Sequence, residues 1–235
     1  MLCYNSSSKI IVVTNTMLSE LARNGVDKNK IEVIYNGVKK DDFKESSEKI
    51  NLPYLEGKKV LGYVGTHGMA HKLDFIVECA AYYQDKKNLH FLFVGDGSEL
   101  NNLKNQSRKL KLNNITFIGN VQKAHIPLYF GHIDYSIVNL KKDNLFKGAL
   151  PSKIFESCLM LKPILLGVDG EAKKLLTKYK FGVYYEPENM VSFHNSVDEI
   201  LKKDYVQLQN GCKRVSNQFD RDTLAIKMVN FIFEI

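Results

Sequence analysis

Short apolar segments alternate along this chain with longer segments of helical periodicity, and this alternation limits the possible folds more than any single motif does. Strands are predicted at 9–14, 31–35, 60–64, 90–94, 115–118, 135–138, 164–167 and, more weakly, 182–185. Helices are predicted at 17–24, 73–84, 99–110, 125–130, 151–161, 171–178, 191–201 and in a long carboxy-terminal region. The pattern therefore predicts an α/β fold with a doubly wound, Rossmann-like parallel sheet.

A polar, charged segment at 39–59 divides these elements unequally and is expected to be a linker. Residues 60–220 contain enough strands and helices for a complete nucleotide-binding domain, and residues 221–235 are expected to form a carboxy-terminal helix. Residues 1–38 hold a single βαβ unit, which is too small to bury a core of its own. We expect this unit to be the remnant of a preceding, amino-terminal domain.

The composition is that of an ordinary soluble protein, with 235 residues of which 44% are hydrophobic. The four cysteines are widely spaced, no apolar run approaches the roughly 20 residues of a membrane-spanning helix, and the first residues do not resemble a signal peptide. These features predict a cytoplasmic protein with reduced thiols. The net charge of +7 suits a phosphorylated substrate or an anionic membrane surface. Because the lysines are dispersed and no nucleic-acid motif occurs, no nucleic-acid partner is expected.

The segment 150–156, Leu-Pro-Ser-Lys-Ile-Phe-Glu, carries the clearest chemical signal. Pro151 suits the first turn of a helix, where free N–H groups, the helix dipole and Lys153 together would bind a phosphate. A carboxylate further along this helix could accept hydrogen bonds from sugar hydroxyls. The combination predicts a site for a nucleotide-diphosphate sugar, with the candidate residues Pro151, Ser152, Lys153 and Glu156.

Glycines at the carboxyl ends of three predicted strands mark the sheet edge at which doubly wound folds bind ligands. Two histidines in the first of these turns are four residues apart, but the glutamate of a His-Glu-x-x-His motif is missing, so no metal site is expected. Structural turns explain the same glycines equally well. The donor-binding candidates at this edge are Gly65, Thr66, His67, His71, Lys72, Gly95, Asp96, Asn120 and Val121.

Six short segments occur in an order that carries a family resemblance: 31–38 (IEVIYNGV), 94–97 (VGDG), 117–119 (FIG), 151–156 (PSKIFE), 162–163 (KP) and 170–172 (GEA). Each segment alone is loose, whereas the ordered set is specific. The sequence resembles the carboxy-terminal half of a GT-B glycosyltransferase of family four, the glycosyl transferases group 1, in its bacterial O-antigen and capsule branch. The likeness covers nearly the whole chain.

The resemblance implies that Glu156 holds the ribose of the donor, that 119–121 contact the base, and that Gly65 and Thr66 lie near the phosphates. The chain departs from many relatives by having Gly148 where they carry a second glutamate. Many relatives also carry an Arg and a Lys after the first strand of this domain, where this chain has Thr66, His67, His71 and Lys72. We expect Lys153 to replace part of that missing positive charge.

The implied activity is retaining transfer of a hexose or N-acetylhexosamine to a glycan or lipid-linked acceptor during synthesis of a surface polysaccharide, lipopolysaccharide or capsule. No Asp-x-Asp motif occurs, so we expect a metal-independent reaction without a cofactor, with Lys153 and the helix amino terminus neutralising the diphosphate. Glu171 either approaches the sugar as a catalytic group or is a plain first-turn carboxylate. Peripheral membrane association is compatible with the charge.

A full enzyme of this kind needs a further domain of about a hundred residues or more. The chain is therefore expected to be a truncated or split transferase, a subunit that pairs with a separate amino-terminal half, or an inactive remnant. A non-catalytic nucleotide-sugar-binding or regulatory subunit is one alternative. A nucleotide-sugar epimerase is another, because one fold can host several activities.

Overall fold

Two parallel sheets of unequal size organise the chain, whose computed structural model describes residues 2–43, 50–86 and 88–233 without the side chains of Leu2 and Asn5. The strands are β1 (Ile10–Val12), β2 (Ile31–Val33), β3 (Lys59–Val64), β4 (Leu89–Val94), β5 (Ile115–Ile118), β6 (Tyr135–Asn139), β7 (Ile164–Gly167) and β8 (Gly182–Tyr184). The helices are α1 (Leu2–Ser6), α2 (Asn15–Arg23), α3 (Leu73–Ala81), α4 (Leu100–Lys109), α5 (Ile126–Gly131), α6 (Ser152–Leu159), α7 (Glu171–Tyr179), α8 (Met190–Lys202), α9 (Tyr205–Gln218) and α10 (Arg221–Phe233).

The larger sheet is parallel throughout and has the strand order β5-β4-β3-β6-β7-β8. The chain moves outward from β3 to β5, returns to place β6 beside β3, and then moves outward again to β8. This reversal confirms the predicted doubly wound topology. In doubly wound sheets, the carboxyl ends of the strands at such a reversal, here β3 and β6, flank the crevice in which ligands bind.

Both faces of this sheet are buried, which explains why its strands are almost uniformly apolar. Ile137 and Leu165 belong to one core cluster with α3 and α8, whereas their neighbours Val138 and Leu166 belong to another with α6 and α9. Successive strand residues point to opposite faces, so the two clusters lie on opposite sides of the sheet. The loops at its carboxyl edge therefore project from a rigid, two-sided core.

The smaller sheet pairs β1 with β2 in parallel, with α2 connecting them. The chain that leaves β2 does not stand alone, because Val38 packs into the core of the larger domain with Phe219 and Leu224. Helix α10 holds the same unit from outside through Lys227, whose ammonium donates to the carbonyl of Val33 at 3.2 Å. The amino-terminal unit and the carboxy-terminal helix are thus bound to each other.

One detail differs from the sequence expectations. Pro151 is not in the first turn of α6 but takes the N-cap position with ψ of 135°, and the helix begins at Ser152. The carboxy-terminal region is helical as expected, and it consists of α9 and, from Arg221, α10. Residues 44–49 of the expected linker lie outside the described residues, and the domain limits remain a prediction. No helix in the described ranges is both long and apolar enough to cross a membrane.

Candidate donor-binding site

The turns that follow β3, β4 and β5 lie side by side and are joined through their backbones. The N–H of Gly65 donates to Val94 at 2.8 Å, and the N–H of Gly95 donates to Ile118 at 3.0 Å. Gly95 has a φ of 130°, and a Cβ there would lie 2.1 Å from the Gly65 oxygen. The glycine is therefore required for this close packing, which builds one continuous edge from the three turns.

Lys153 is the one cationic side chain of α6, and it extends from the first turn of this helix to the edge that the three turns form. Its ammonium lies 5.4 Å from the ring centroid of Tyr63, and its Cε would be only 2.4 Å from a Cβ placed on Gly65. Burial lowers the pKa of Lys153, and the charge of Glu156 opposes that change. Among the described residues Lys153 has no ion-pair partner, so a half-buried positive charge is left facing the crevice.

The amino terminus of α6 adds to this positive potential. The N–H groups of Ser152 and Lys153 cannot have intrahelical partners, because they belong to the first turn. Glu156 follows on the same helix and is half-buried, and its side-chain carboxylate accepts no hydrogen bond from any described residue. Burial raises the pKa of the Tyr63 phenol, and the negative charge of Glu156 raises it further. The N–H groups that could bind a phosphate and the carboxylate of Glu156 therefore lie on the same short helix.

His67 and His71 flank the same tyrosine, with ring centroids 5.5 Å and 5.8 Å from that of Tyr63. His67 is fully buried, and neither of its ring nitrogens has a hydrogen-bond partner in the described part of the chain. Burial lowers the pKa of His67 to about 4, against the opposing charge of Asp96. Burial and the charge of Lys153 also lower the pKa of His71. Both imidazoles are therefore neutral near pH 7.

The buried histidines give the folding stability a defined pH dependence. His67 and His90 both have a pKa of about 4 in the folded chain, mainly because of burial, against 6.5 as the ordinary value. Since the unfolded chain takes up these protons first, the free energy of unfolding should fall between pH 6.5 and pH 4. Urea titrations at pH 7 and pH 5 should differ by about 1–2 kcal/mol for each imidazole. The variant His90→Phe should reduce the total difference by the contribution of one imidazole, whereas equal midpoints at both pH values in the wild type would contradict the expectation.

Other predicted donor residues make contacts of their own. The Lys72 ammonium pairs with Asp74 at 2.6 Å, and the Asp96 carboxylate accepts from the N–H of Gly97 at 2.7 Å as a turn residue does. The carbonyl of Thr66 accepts from the hydroxyl of Tyr63 at 2.7 Å. Of these three, Thr66 is therefore the one tied directly to the cluster around Tyr63.

The end of β5 presents a more open surface. A Cβ placed on Gly119 would meet no atom within 4 Å, so the backbone there can be approached closely. Asn120 is exposed and Val121 is half-buried. This arrangement is compatible with a flat base, and the assignment of both residues to the base stays a prediction.

Glu171 has a role that the sequence did not reveal. Its Oε1 accepts from the N–H and the side-chain amide of Asn15 at 2.8 and 3.0 Å, and its Oε2 accepts from the N–H and hydroxyl of Thr16, both at 2.9 Å. Although burial acts to raise it, these bonds hold the pKa of Glu171 below its ordinary value. The Glu171 carboxylate thus joins α7 to the start of α2. Its catalytic role remains a prediction that these occupied oxygens do not support.

Gly148 is explained by the same contact between the two parts of the chain. A Cβ placed on Gly148 would lie 2.9 Å from Cγ2 of Thr16. Helix α2 therefore occupies the space into which a larger side chain at 148 would extend.

Tyr63 lies between Lys153, His67 and His71, and the sequence did not reveal this position. A tyrosine at the end of a buried strand resembles any other core residue.

Comparisons with known proteins show the family and the fold of the chain. The model of the family described as glycosyl transferases group 1 matches residues 42–218, and that of glycosyltransferase family 4 matches residues 1–42. The chain is 23% identical over 211 residues to WbjE of Pseudomonas aeruginosa, a glycosyltransferase by name, covering 87% of this chain and 52% of WbjE. It is 26% identical over 176 residues to TuaH of Bacillus subtilis, named for teichuronic acid biosynthesis, covering 74% of this chain and 43% of TuaH.

The fold is also found in a solved structure, HepE of Anabaena in complex with UDP and glucose. The two superpose with a TM-score of 0.80 at 17% identity, covering 100% of this chain and 65% of HepE. The chain thus spans about half the length of the two sequence relatives and two thirds of this structural one.

Proposed function

The chain belongs to the glycosyl transferases group 1 family of GT-B fold, and from that premise we propose that it binds a nucleotide-diphosphate sugar at the crevice between β3 and β6. The resemblance inferred from the sequence is confirmed by the family match. We further propose that the bound donor supplies a hexose or N-acetylhexosamine, with retention, to a glycan or lipid-linked acceptor. HepE is solved with UDP and glucose, so UDP-glucose is the first donor to test.

One observation carries the proposal, namely the ammonium of Lys153 at the start of α6, which has no ion-pair partner among the residues that the structure describes. It lies beside Gly65 and above Tyr63, at the point where the strand order reverses. A diphosphate placed there would receive the charge of Lys153 together with the free N–H groups of the first turn. These groups support the proposal that a donor with a diphosphate binds here.

The same groups would assist departure of the nucleoside diphosphate. Negative charge grows on the leaving phosphate as the bond to the sugar breaks, and a fixed ammonium in a partly desolvated site stabilises that charge. His71, neutral and close to Lys153, can donate one further hydrogen bond to a phosphate oxygen. Glu156 remains free to accept from the ribose hydroxyls, one turn further along α6.

A second function, donor binding without turnover by this chain alone, is favoured by a specific observation. The oxygens of Glu171 are occupied by Asn15 and Thr16, and Gly148 brings no carboxylate to the site. On this reading the chain is a donor-binding subunit or one half of a split transferase, completed by a separate acceptor-binding part.

Calorimetric titration of the full chain with UDP-glucose should show binding that is unchanged when magnesium is replaced by EDTA, because protein cations neutralise the diphosphate. In the described residues no three His, Cys, Asp or Glu side chains are grouped as a metal site would require. Loss of binding on chelation would contradict metal independence. Product analysis with a labelled donor then separates transfer, hydrolysis and epimerisation from binding alone.

A further inference from the structure

A row of residues crosses the larger sheet from β8 to β6 at its carboxyl edge. Asn139 ends β6, and its register partner in β7 is Gly167. Tyr185 directly follows Tyr184, the last residue of β8, which pairs with Leu166 of β7. Asn139, Gly167 and Tyr185 therefore occupy one row on three neighbouring strands. Asn139 and Tyr185 are both buried, so their polar groups need partners within the fold.

Gly167 leaves a gap in β7 through which the two outer side chains of this row meet. The hydroxyl of Tyr185 donates to Oδ1 of Asn139 at 2.8 Å, although β7 lies between their strands. A Cβ placed on Gly167 would overlap both this Oδ1 and the ring of Tyr185. The hydrogen bond between β6 and β8 therefore requires a residue without a side chain in β7.

The amide of Asn139 also bonds in the other direction, to the turn that follows β3. Its Nδ2 donates to the carbonyl of His71 at 2.8 Å and to that of Lys72 at 3.3 Å. Backbone carbonyls only accept, so the NH₂ group faces this turn and Oδ1 faces the phenol. The hydroxyl of Tyr185 thus fixes the orientation of the amide that holds the turn.

The backbone of this turn needs such support. Lys72 has φ and ψ of 47° and 48°, in the left-handed region that a residue with a long side chain rarely adopts. A conformation of this kind persists where the surrounding contacts impose it. The two hydrogen bonds from Asn139 to the carbonyls of His71 and Lys72 are contacts that do so.

The imidazole of His71 extends from this turn toward Lys153. Burial and the charge of Lys153 lower the pKa of His71, whereas a hydrogen bond with the backbone of Asn139 raises it. The His71 ring lies 5.8 Å from the ring of Tyr63, and the Lys153 ammonium lies 5.4 Å from the centroid of that same ring. Asn139 therefore contacts His71 at its carbonyl and acts on its ring, beside the cation of the crevice.

We infer that Asn139 is a positioning residue of the donor site, which holds the turn after β3 so that His71 faces the diphosphate. Tyr185 acts through Asn139 by fixing its amide, and Gly167 gives the space for their contact. None of the three has to touch the donor. The inference rests on the proposed function, because it concerns the geometry of the same site.

An NMR titration of His71 in the full chain, without donor, tests whether the row holds this turn. The variants Tyr185→Phe and Gly167→Ala should each raise the pKa of His71 toward its ordinary value of 6.5, because the ring can then move away from the Lys153 ammonium and into solvent. The spectrum of His71→Gln identifies the resonance of this residue among the six histidines.

The matched control for the phenol is Tyr205→Phe. The hydroxyl of Tyr205 donates to the carbonyl of Asp134 at 3.0 Å, directly before β6 and so at the opposite edge of the sheet. Each tyrosine substitution removes one hydroxyl from a hydrogen bond. Only Tyr185→Phe should change the titration of His71 or the affinity for the donor.

Calorimetric titration with UDP-glucose measures the consequence for donor binding. Tyr185→Phe should weaken binding about threefold to tenfold, a size typical of coupling through packed, hydrogen-bonded residues. In the His71→Gln background the same substitution should change the affinity less than about twofold, because its effect passes through the imidazole. A purely structural role of Tyr185 would weaken donor binding equally in both backgrounds.

An unchanged His71 titration in Tyr185→Phe and Gly167→Ala would overturn the inference, as would an equal loss of donor affinity with and without the imidazole. If one of these variants fails to fold, the other provides the test, since one removes the hydrogen bond and the other separates its partners. Absence of UDP-glucose binding by the wild type, with the pKa of His71 raised in the variants as expected, would refute the donor site while confirming that Asn139 holds His71.

Discussion

Replacing Lys153 by alanine should weaken binding of the nucleotide-sugar donor by about 2–4 kcal/mol, which corresponds to roughly 30-fold to 900-fold in affinity. The effect is expected to be large because this ammonium is half-buried and faces the crevice without an ion-pair partner among the described residues. Its removal leaves the first-turn N–H groups of α6 as the main positive potential beside the diphosphate. Calorimetric titration with UDP-glucose measures the change.

The neighbouring lysine in the β3 turn provides the control. Lys72 already pairs with Asp74, so the variant Lys72→Ala should alter donor affinity by less than about threefold. Unfolding midpoints of both variants show whether the fold is intact. Equal donor affinity in Lys153→Ala and wild type would remove Lys153 from the site, and a larger loss in Lys72→Ala would place the diphosphate in the β3 turn.

Replacing Glu171 by alanine should lower the free energy of unfolding by about 2–4 kcal/mol. The carboxylate accepts four hydrogen bonds from Asn15 and Thr16. Two of these come from backbone N–H groups in the first turn of α2, which have no partner within their own helix. The expected decrease in the free energy of unfolding is this large because the substitution removes both a charged acceptor and a helix cap. Water can replace part of the lost hydrogen bonding at Asn15, which is exposed. Urea unfolding measures it.

A surface glutamate serves as the matched control for this measurement. Glu199 is exposed on α8, and its one ion pair within the described ranges is with Lys203 one turn away, so Glu199→Ala should cost less than about 1 kcal/mol. Equal destabilisation by the two variants would contradict the claim that Glu171 stabilises the contact between α7 and α2. A catalytic Glu171 would give the opposite pattern, in which turnover is lost while the free energy of unfolding stays near the wild-type value.

The sheet and the glycine turns at its carboxyl edge were predictable because they depend on local patterns. Buried parallel strands are continuous apolar runs, and glycines such as Gly65 and Gly95 mark the turns at their carboxyl ends. The position of Lys153 on the first turn of α6 also follows from the sequence, since Pro151 limits where the helix can begin. These features require knowledge of only one strand or helix at a time.

The remaining parts of the site depend on contacts between distant residues. The bonds from Asn15 and Thr16 to Glu171 span about 155 positions, so a first-turn carboxylate gave no sign of its partners. The absence of a side chain at Gly148 is likewise explained only by the nearness of Thr16. Tyr63 was missed for a similar reason, since its contact with Lys153 forms only when the α6 and β3 turns meet at the crevice.

A crystal structure of the full chain with UDP-glucose tests most directly the central claim that the crevice between β3 and β6 is the donor site. The account predicts the diphosphate within hydrogen-bond distance of Nζ of Lys153 and of the first-turn N–H groups of α6, with the ribose at Glu156. A nucleotide bound at another place, or with its diphosphate remote from Lys153, would contradict it.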